Sequence, residues 1–258
     1  MLQYKSFAVD LAKKSGALLK EKFNKTHHIH YKGEINLVTE ADKLSEDLII
    51  EEISRNFPDH GILSEETPAI KGTGDWRWII DPLDGTTNYA HGYPVFCVSI
   101  ALENKGEVIA GVVYDPMREE MFVAGQGEGA YLNGKKIAVS HCGNLSKSLL
   151  ATGFPYDIRE SKENNLDYFN AMAIRAQAIR RAGAAALDLA YLAAGRFDGF
   201  WELKLKAWDT AAGSLLVTEA GGSLSDIAGE KWHLQSPGLV ASNGLIHEQM
   251  INVLSFKI

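Results

Sequence analysis

Apolar residues recur every three or four positions at the start of the chain. Phe7, Ala8, Leu11, Ala12, Leu18 and Leu19 predict an amphipathic helix over residues 2–23. The polar run His27-His28-Ile29-His30-Tyr31-Lys32-Gly33 then reads as a solvated turn or strand edge. A metal reading of these histidines has no acidic or cysteine partner nearby, and strand alternation would divide them between two faces. A second helix opens at Thr39-Glu40-Ala41-Asp42, with Thr39 as N-cap and Asp42 at the third helical position. Leu44, Leu48, Ile49 and Ile53 mark its buried face, and Asn56-Phe57-Pro58 ends it, because proline disfavours a helical residue before it.

From Gly61 to about Val139 the period changes to two. Strands are predicted at Trp76–Ile80, Val95–Glu103, Val108–Tyr114 and Glu120–Ala124, with turns at Asn104-Lys105-Gly106 and Asn133-Gly134. This half reads as a mostly antiparallel sheet carrying helices. The polar stretch His141–Ser148 is the best internal boundary, giving subdomains 1–143 and 144–258 within a single domain. Beyond it, strands at Leu149–Gly153 and Phe200–Leu205 alternate with helices at Asn165–Gln177, Gly183–Ala194 and Asp209–Ala220, the last stopped by Gly221-Gly222. Such alternation favours an α/β layered arrangement, so the class expected is α+β or α/β.

Composition narrows the classes. A chain of 258 residues that is 46% hydrophobic can bury a sizeable core. A net charge of −7 and a pI near 5.6 argue against a general nucleic-acid coat. No apolar run approaches the ~20 residues of a membrane helix, and no signal peptide is visible at the start. Cys97, in an apolar run, and Cys142, in a polar one, read as unpaired thiols in a reducing cytoplasm.

The chemistry lies in three acidic groups: Ser64-Glu65-Glu66, Asp81 with Asp84, and Trp208-Asp209. Each stands where a strand or loop meets a turn. Singly they read as a solvated loop, turn residues and a helix cap. Together they offer hard oxygen ligands suited to Mg²⁺ or Mn²⁺, and two carboxylates as close as Asp81 and Asp84 repel unless a cation separates them. Asp84-Gly85-Thr86-Thr87 adds a tight turn whose free amides attract an anion if a helix begins there. Carboxylates for cations beside amides for an anion point to metal-assisted phosphoester hydrolysis.

At this point the sequence resembles a known family. Trp78–Tyr89 (W-I-I-D-P-L-D-G-T-T-N-Y) looks like the first signature of the inositol monophosphatase family. Trp208-Asp209-Thr210-Ala211-Ala212-Gly213, continuing to Thr218–Gly222, looks like its second, and Ser64-Glu65-Glu66 resembles its G-E-E with serine for glycine. The resemblance implies a layered αβαβα sandwich, usually a homodimer, that hydrolyses small phosphate monoesters with Mg²⁺ and is commonly inhibited by Li⁺. Glu65, Asp81 and the Leu83 carbonyl would hold one metal, and Asp81, Asp84 and Asp209 a second. A third, weaker ion would lie near Glu65. Thr86, paired with Asp42, would position and deprotonate the attacking water, while the Gly85 and Thr86 amides would meet the phosphate. Gly183, Ala185 and Glu202, with Asp84 and Asp209, match the segments that contact the substrate ring.

The substrate expected is a small phosphorylated polyol or sugar, inositol 1-phosphate foremost. Fructose 1,6-bisphosphate, 3′-phosphoadenosine nucleotides and a non-catalytic partnership with the transcription machinery are alternatives. Glu202 favours a polyol, since a carboxylate accepts bonds from ring hydroxyls and is unhelpful beside a second phosphate. At least one of Arg180-Arg181 is expected as an exposed charge flanking a helix; the functional reading puts one near the cleft mouth or a dimer interface.

Overall fold

The computed structural model describes residues 2–23, 29–31 and 37–255. His27 and His28 lie outside the described residues. The two predicted N-terminal helices form as α1 (Leu2–Lys22) and α2 (Glu40–Asn56), and Thr39 stands immediately before the second. Between them, β1 (Ile29–Tyr31) pairs with β2 (Leu37–Thr39) in a small antiparallel ribbon.

A seven-stranded sheet follows in chain order: β3 (Gly61–Ser64), β4 (Trp76–Asp84), β5 (Cys97–Asn104), β6 (Glu107–Asp115), β7 (Glu120–Gly125), β8 (Gly129–Leu132) and β9 (Lys135–Lys136). Only β3 and β4 run parallel; the other neighbours are antiparallel. The short helix α3 (Thr86–Ala90) leaves the end of β4. The second sheet has five strands in the order β11-β10-β12-β14-β13. Its strands are β10 (Leu149–Thr152), β11 (Ala178–Arg180), β12 (Gly199–Leu203), β13 (Ser223–Ser225) and β14 (Gly238–Ser242). Helices α4 (Leu166–Ala173), α5 (Ala185–Ala193), α6 (Ala207–Glu219) and α7 (His247–Ser255) connect and cover it.

Side-chain alternation along the strands sorts the core into layers. Trp78 and Ile80 of β4 face a cluster with Leu11, Leu19 and Ile49 of α1 and α2. Ile79 faces the other way, into a cluster with α5 and α6 that also takes Phe200 and Leu239 from the second sheet. The far face of that sheet carries Trp201 and Val240 against Met172 of α4 and Met250 of α7. The order is therefore helix, sheet, helix, sheet, helix: the αβαβα sandwich. No helix of the described residues is long and apolar enough to cross a membrane.

Several boundaries differ from the sequence reading. β4 runs on to Asp84 instead of stopping at Ile80, and its pairing with β5 shifts between Asp81 and Asp84. Pro82 offers no N–H to the ladder, so the strand bulges there and aims its carboxylates off the sheet. The helix expected over Asn165–Gln177 ends at Ala173, because residues 178–180 are taken as β11, parallel to β10. The helix expected from Gly183 starts at Ala185; Gly183 has φ +85° and Ala184 is extended. Local pattern gave no sign of β13, β14 or α7.

Candidate active site

The bulge in β4 builds the site. Asp81 and Asp84 are buried there, and the Pro82 carbonyl between them accepts a bond from Ser45 Oγ of α2 at 2.7 Å. Gly85 then turns the chain with φ +95°, in the left-handed region that favours glycine. A Cβ at this position would lie 2.9 Å from the Val95 carbonyl oxygen, so no other residue fits without a shift. The turn releases Thr86 into the first position of α3.

Around this turn lies a cavity of about 330 Å³. Glu65, Asp81, Leu83, Asp84, Gly85, Thr86, Glu202 and Asp209 all line it, together with Phe154–Asp157 and the segment from Leu203 to Lys206. A smaller inner compartment of about 110 Å³ shares Asp84, Gly85, Glu202 and Asp209 with it and adds Gly183, Ala185, Arg181 and Asp188. Of the residues given a catalytic, metal or substrate role in sequence, only Asp42 lines neither space. It stands behind Thr86, whose hydroxyl donates to Asp42 Oδ1 at 2.9 Å and lies 3.1 Å from the Leu83 carbonyl.

Each carboxylate is anchored by the backbone. Asp81 Oδ1 accepts from the Leu83 N–H at 3.1 Å, and Asp209 Oδ2 accepts from Lys206 N–H at 2.6 Å. The second bond caps α6, so Asp209 is both a helix cap and a wall of the cavity. Asp84 Oδ2 accepts from the Ala186 N–H of α5 at 2.8 Å, and the Cys97 thiol donates to the same oxygen at 3.5 Å. The residue before α5, Ala184, offers no capping side chain, so Asp84 does that work from a different sheet.

Burial dominates the electrostatics. It raises Asp81 well above the ordinary carboxylate range, and the charges of Glu65, Asp84 and Asp209 raise it further. Asp84 is pushed up to about 6 by burial, with the α5 amides and Cys97 pulling it back. Burial also raises Asp209 well above its usual value; the Lys206 N–H bond opposes this, and the charges of Asp84 and Glu65 add to it. Glu202 is raised by burial and by Asp209, Asp188 and Asp84, against Arg181. Burial, with the charges of Asp84, Asp81 and Asp115, pushes the Cys97 thiol well up.

The donor set fits a hard divalent cation in its chemistry: carboxylate oxygens whose crowding disfavours their own charge. It is not a finished cage, since no three His, Cys, Asp or Glu side chains of the described residues already surround one point. Asp81, Asp84 and Asp209 are each held at one oxygen by a backbone N–H.

Other residues that shape the site gave no local signal. Glu46 of α2 is buried and accepts bonds from Ser64 Oγ, from the Glu66 and Thr67 N–H groups (both 3.1 Å) and from Thr67 Oγ1 (2.6 Å). It therefore clamps the loop that carries Glu65, and Ser64 is part of the clamp. Asn88 Nδ2 donates to the carbonyls of Val95 (2.7 Å) and Ala182 (2.8 Å), tying α3 to the Gly183 segment. Both arginines are exposed: Arg181 stands at the inner compartment, and Arg180 bonds the Ile179 carbonyl. Neither cysteine is bridged.

Comparison with known proteins places the chain among relatives of known name. The chain is 48% identical over 213 residues to a protein named Nus factor SuhB from Pseudomonas aeruginosa, covering 80% of this chain and 78% of that one. It is 41% identical over 249 residues to an inositol-1-monophosphatase from Mesorhizobium japonicum, covering 95% and 94%. An inositol monophosphatase structure from Anabaena superposes with a TM-score of 0.90 at 42% identity, over 98% of this chain and 95% of that one. The family model described as "Inositol monophosphatase family" matches residues 1–258, and the chain belongs to that family.

Proposed function

We propose that this protein is a Mg²⁺-dependent phosphatase of small phosphate monoesters, with inositol 1-phosphate as its best substrate. The reading rests on one observation: Glu65, Asp81, Asp84 and Asp209 meet on a single cavity beside the Gly85-Thr86 turn. Glu65, Asp81 and the Leu83 carbonyl would hold one ion, and Asp81, Asp84 and Asp209 a second, with a weaker third near Glu65 and Mn²⁺ as a substitute. Bound divalent ions supply charge neutralisation for the phosphate and a water acidic enough to attack it.

The chain's own groups do the rest. Thr86 donates a hydrogen bond to Asp42 and so leaves an oxygen lone pair for the attacking water; as the water's proton passes to Thr86 Oγ1, the threonine's own proton passes to Asp42. The Gly85 and Thr86 amides, at the unpaired start of α3, bind phosphate oxygens. Asp84, Gly183, Ala185, Glu202 and Asp209 surround the leaving group. Water adds to phosphorus, the ester P–O bond breaks, and the products are a polyol and inorganic phosphate.

Glu202 supports a polyol over a bisphosphate, since a buried acid accepts bonds from hydroxyls and offers a second phosphate no positive partner. The retained carboxylates give no support to a purely non-catalytic role beside the transcription machinery. We place the enzyme in the cytoplasm as a homodimer inhibited by Li⁺, on the family resemblance and the unbridged thiols. Phosphate release is measured from inositol 1-phosphate, fructose 1,6-bisphosphate and 3′-phosphoadenosine 5′-phosphate, each with and without Mg²⁺. Mg²⁺-dependent release, fastest from the first, is expected. No release from any of them would overturn the reading.

A further inference from the structure

Among the described residues, one buried side-chain polar atom has no hydrogen-bond partner: Asp188 Oδ1. Asp188 lies in the first turn of α5, is 2% exposed, and is flanked by Ala186, Leu187, Leu189 and Ala190, all buried. An apolar residue would suit that position, whereas an unpaired carboxyl oxygen carries a desolvation cost with no return inside the fold. Native structures keep such groups where something outside the fold completes them.

The surroundings identify what that is. Asp188 lines the inner compartment with Arg181, Gly183, Thr152 and Glu202. Glu65 and Asp81 line only the outer cavity, so Asp188 is at the end away from them. A phosphate held at the Gly85-Thr86 turn would send its leaving group inward, toward Glu202 and Asp188. The compartment of about 110 Å³ has room for about four waters, hence for the hydroxyl-bearing edge of a ring. Burial and the Asp84 charge raise the Asp188 carboxyl, and Arg181 opposes them. Charged or neutral, it keeps an oxygen able to accept a bond.

We infer that Asp188 is a specificity-determining residue, whose carboxyl group bonds a hydroxyl of the leaving group and so favours polyol phosphates over phosphate monoesters lacking that hydroxyl. The inference rests on the phosphatase reading above. Asp188→Leu tests it, because leucine keeps the branched shape and removes the oxygens. kcat and KM are measured on inositol 1-phosphate and on phenyl phosphate, with the thermal midpoint as a check on folding. The ratio of kcat/KM between the two substrates is expected to fall roughly tenfold, mostly through KM for the polyol. An unchanged ratio, with both substrates kept or both lost in parallel, makes Asp188 structural and overturns the inference. Should Asp188→Leu fail to fold, Asp188→Ala is judged by the same ratio. Wild-type protein inactive on both substrates would overturn the phosphatase reading and this inference with it. Wild-type activity combined with an unchanged ratio would overturn the inference alone.

Discussion

Thr86 and Asp42 are joined by a hydrogen bond of 2.9 Å that links the first residue of α3 to the first turn of α2. Both side chains are buried, so the pair is fixed before any ligand arrives. Asp42 is a helix-start residue that also touches the cavity wall through its bond to Thr86. Asp42→Asn is expected to lower kcat roughly a hundredfold, because the amide is a poor proton acceptor, with KM little changed. Initial-rate kinetics on inositol 1-phosphate check this, and a kcat within a factor of about three of wild type would remove Asp42 from the mechanism.

Asp84→Asn separates chemistry from folding. The amide oxygen of asparagine can still accept the Ala186 N–H, so α5 keeps its cap. Turnover should fall by more than the roughly 10–100-fold that losing an outer partner of a metal ligand costs. The metal-free thermal midpoint should hold or rise, since a buried acid that resists ionising has been neutralised. Near-normal activity would contradict the ligand assignment.

The raised carboxylates set a pH dependence for metal stabilisation. Asp84 ionises near 3.8 when unfolded and near 6 when folded, and Asp81 and Asp209 shift the same way. Over that interval the folded state holds more protons, so these groups make the metal-free protein less stable as pH rises from about 4 past about 6. Divalent ions bind the ionised form and reverse the loss. Millimolar Mg²⁺ should therefore raise the thermal midpoint clearly at about pH 7.5 and little at about pH 5. An equal shift at both values, or none, would be inconsistent with the site.

Glu46 is expected to matter without touching substrate. Glu46→Ala leaves the Glu66 and Thr67 amides without their carboxylate and frees the Glu65 loop. Stability should drop by about 2 kcal/mol in denaturant unfolding, and the Mg²⁺ concentration for half-maximal activity should rise severalfold. A stability loss with an unaltered Mg²⁺ requirement would limit Glu46 to the fold.

Gly153 makes room for Glu202. A Cβ on Gly153 would collide with the Glu202 carboxylate, so Gly153→Ala must push that carboxylate aside. KM for the polyol phosphate should rise about tenfold with a smaller change in kcat. Unchanged KM would show that Glu202 does not hold the ring.

Much of this was readable in order along the chain. Period-three-to-four spacing located α1 and α2, alternation located most of the first sheet, and the acids at strand ends converge on one cavity. The remainder depends on contacts no local window contains. β11, β13 and β14 have three to five residues each and are strands by virtue of their partners. α5 is covered on both sides, so its apolar run concealed that Asp188 faces a compartment rather than water. Glu46 looked like any acid on a polar helix face, and only the returning Ser64–Thr67 loop makes it a clamp.

The cap that Asp84 provides for α5 arrives from 102 positions earlier in the chain. One carboxylate therefore serves at once as a helix end and as a wall of the reaction space. Whatever binds Asp84 in the cavity therefore acts on the side chain that holds the Ala186 amide, a short step from Leu187 and Leu189 in the central core. The end of a core helix and the floor of the cleft are thus tied through a single side chain.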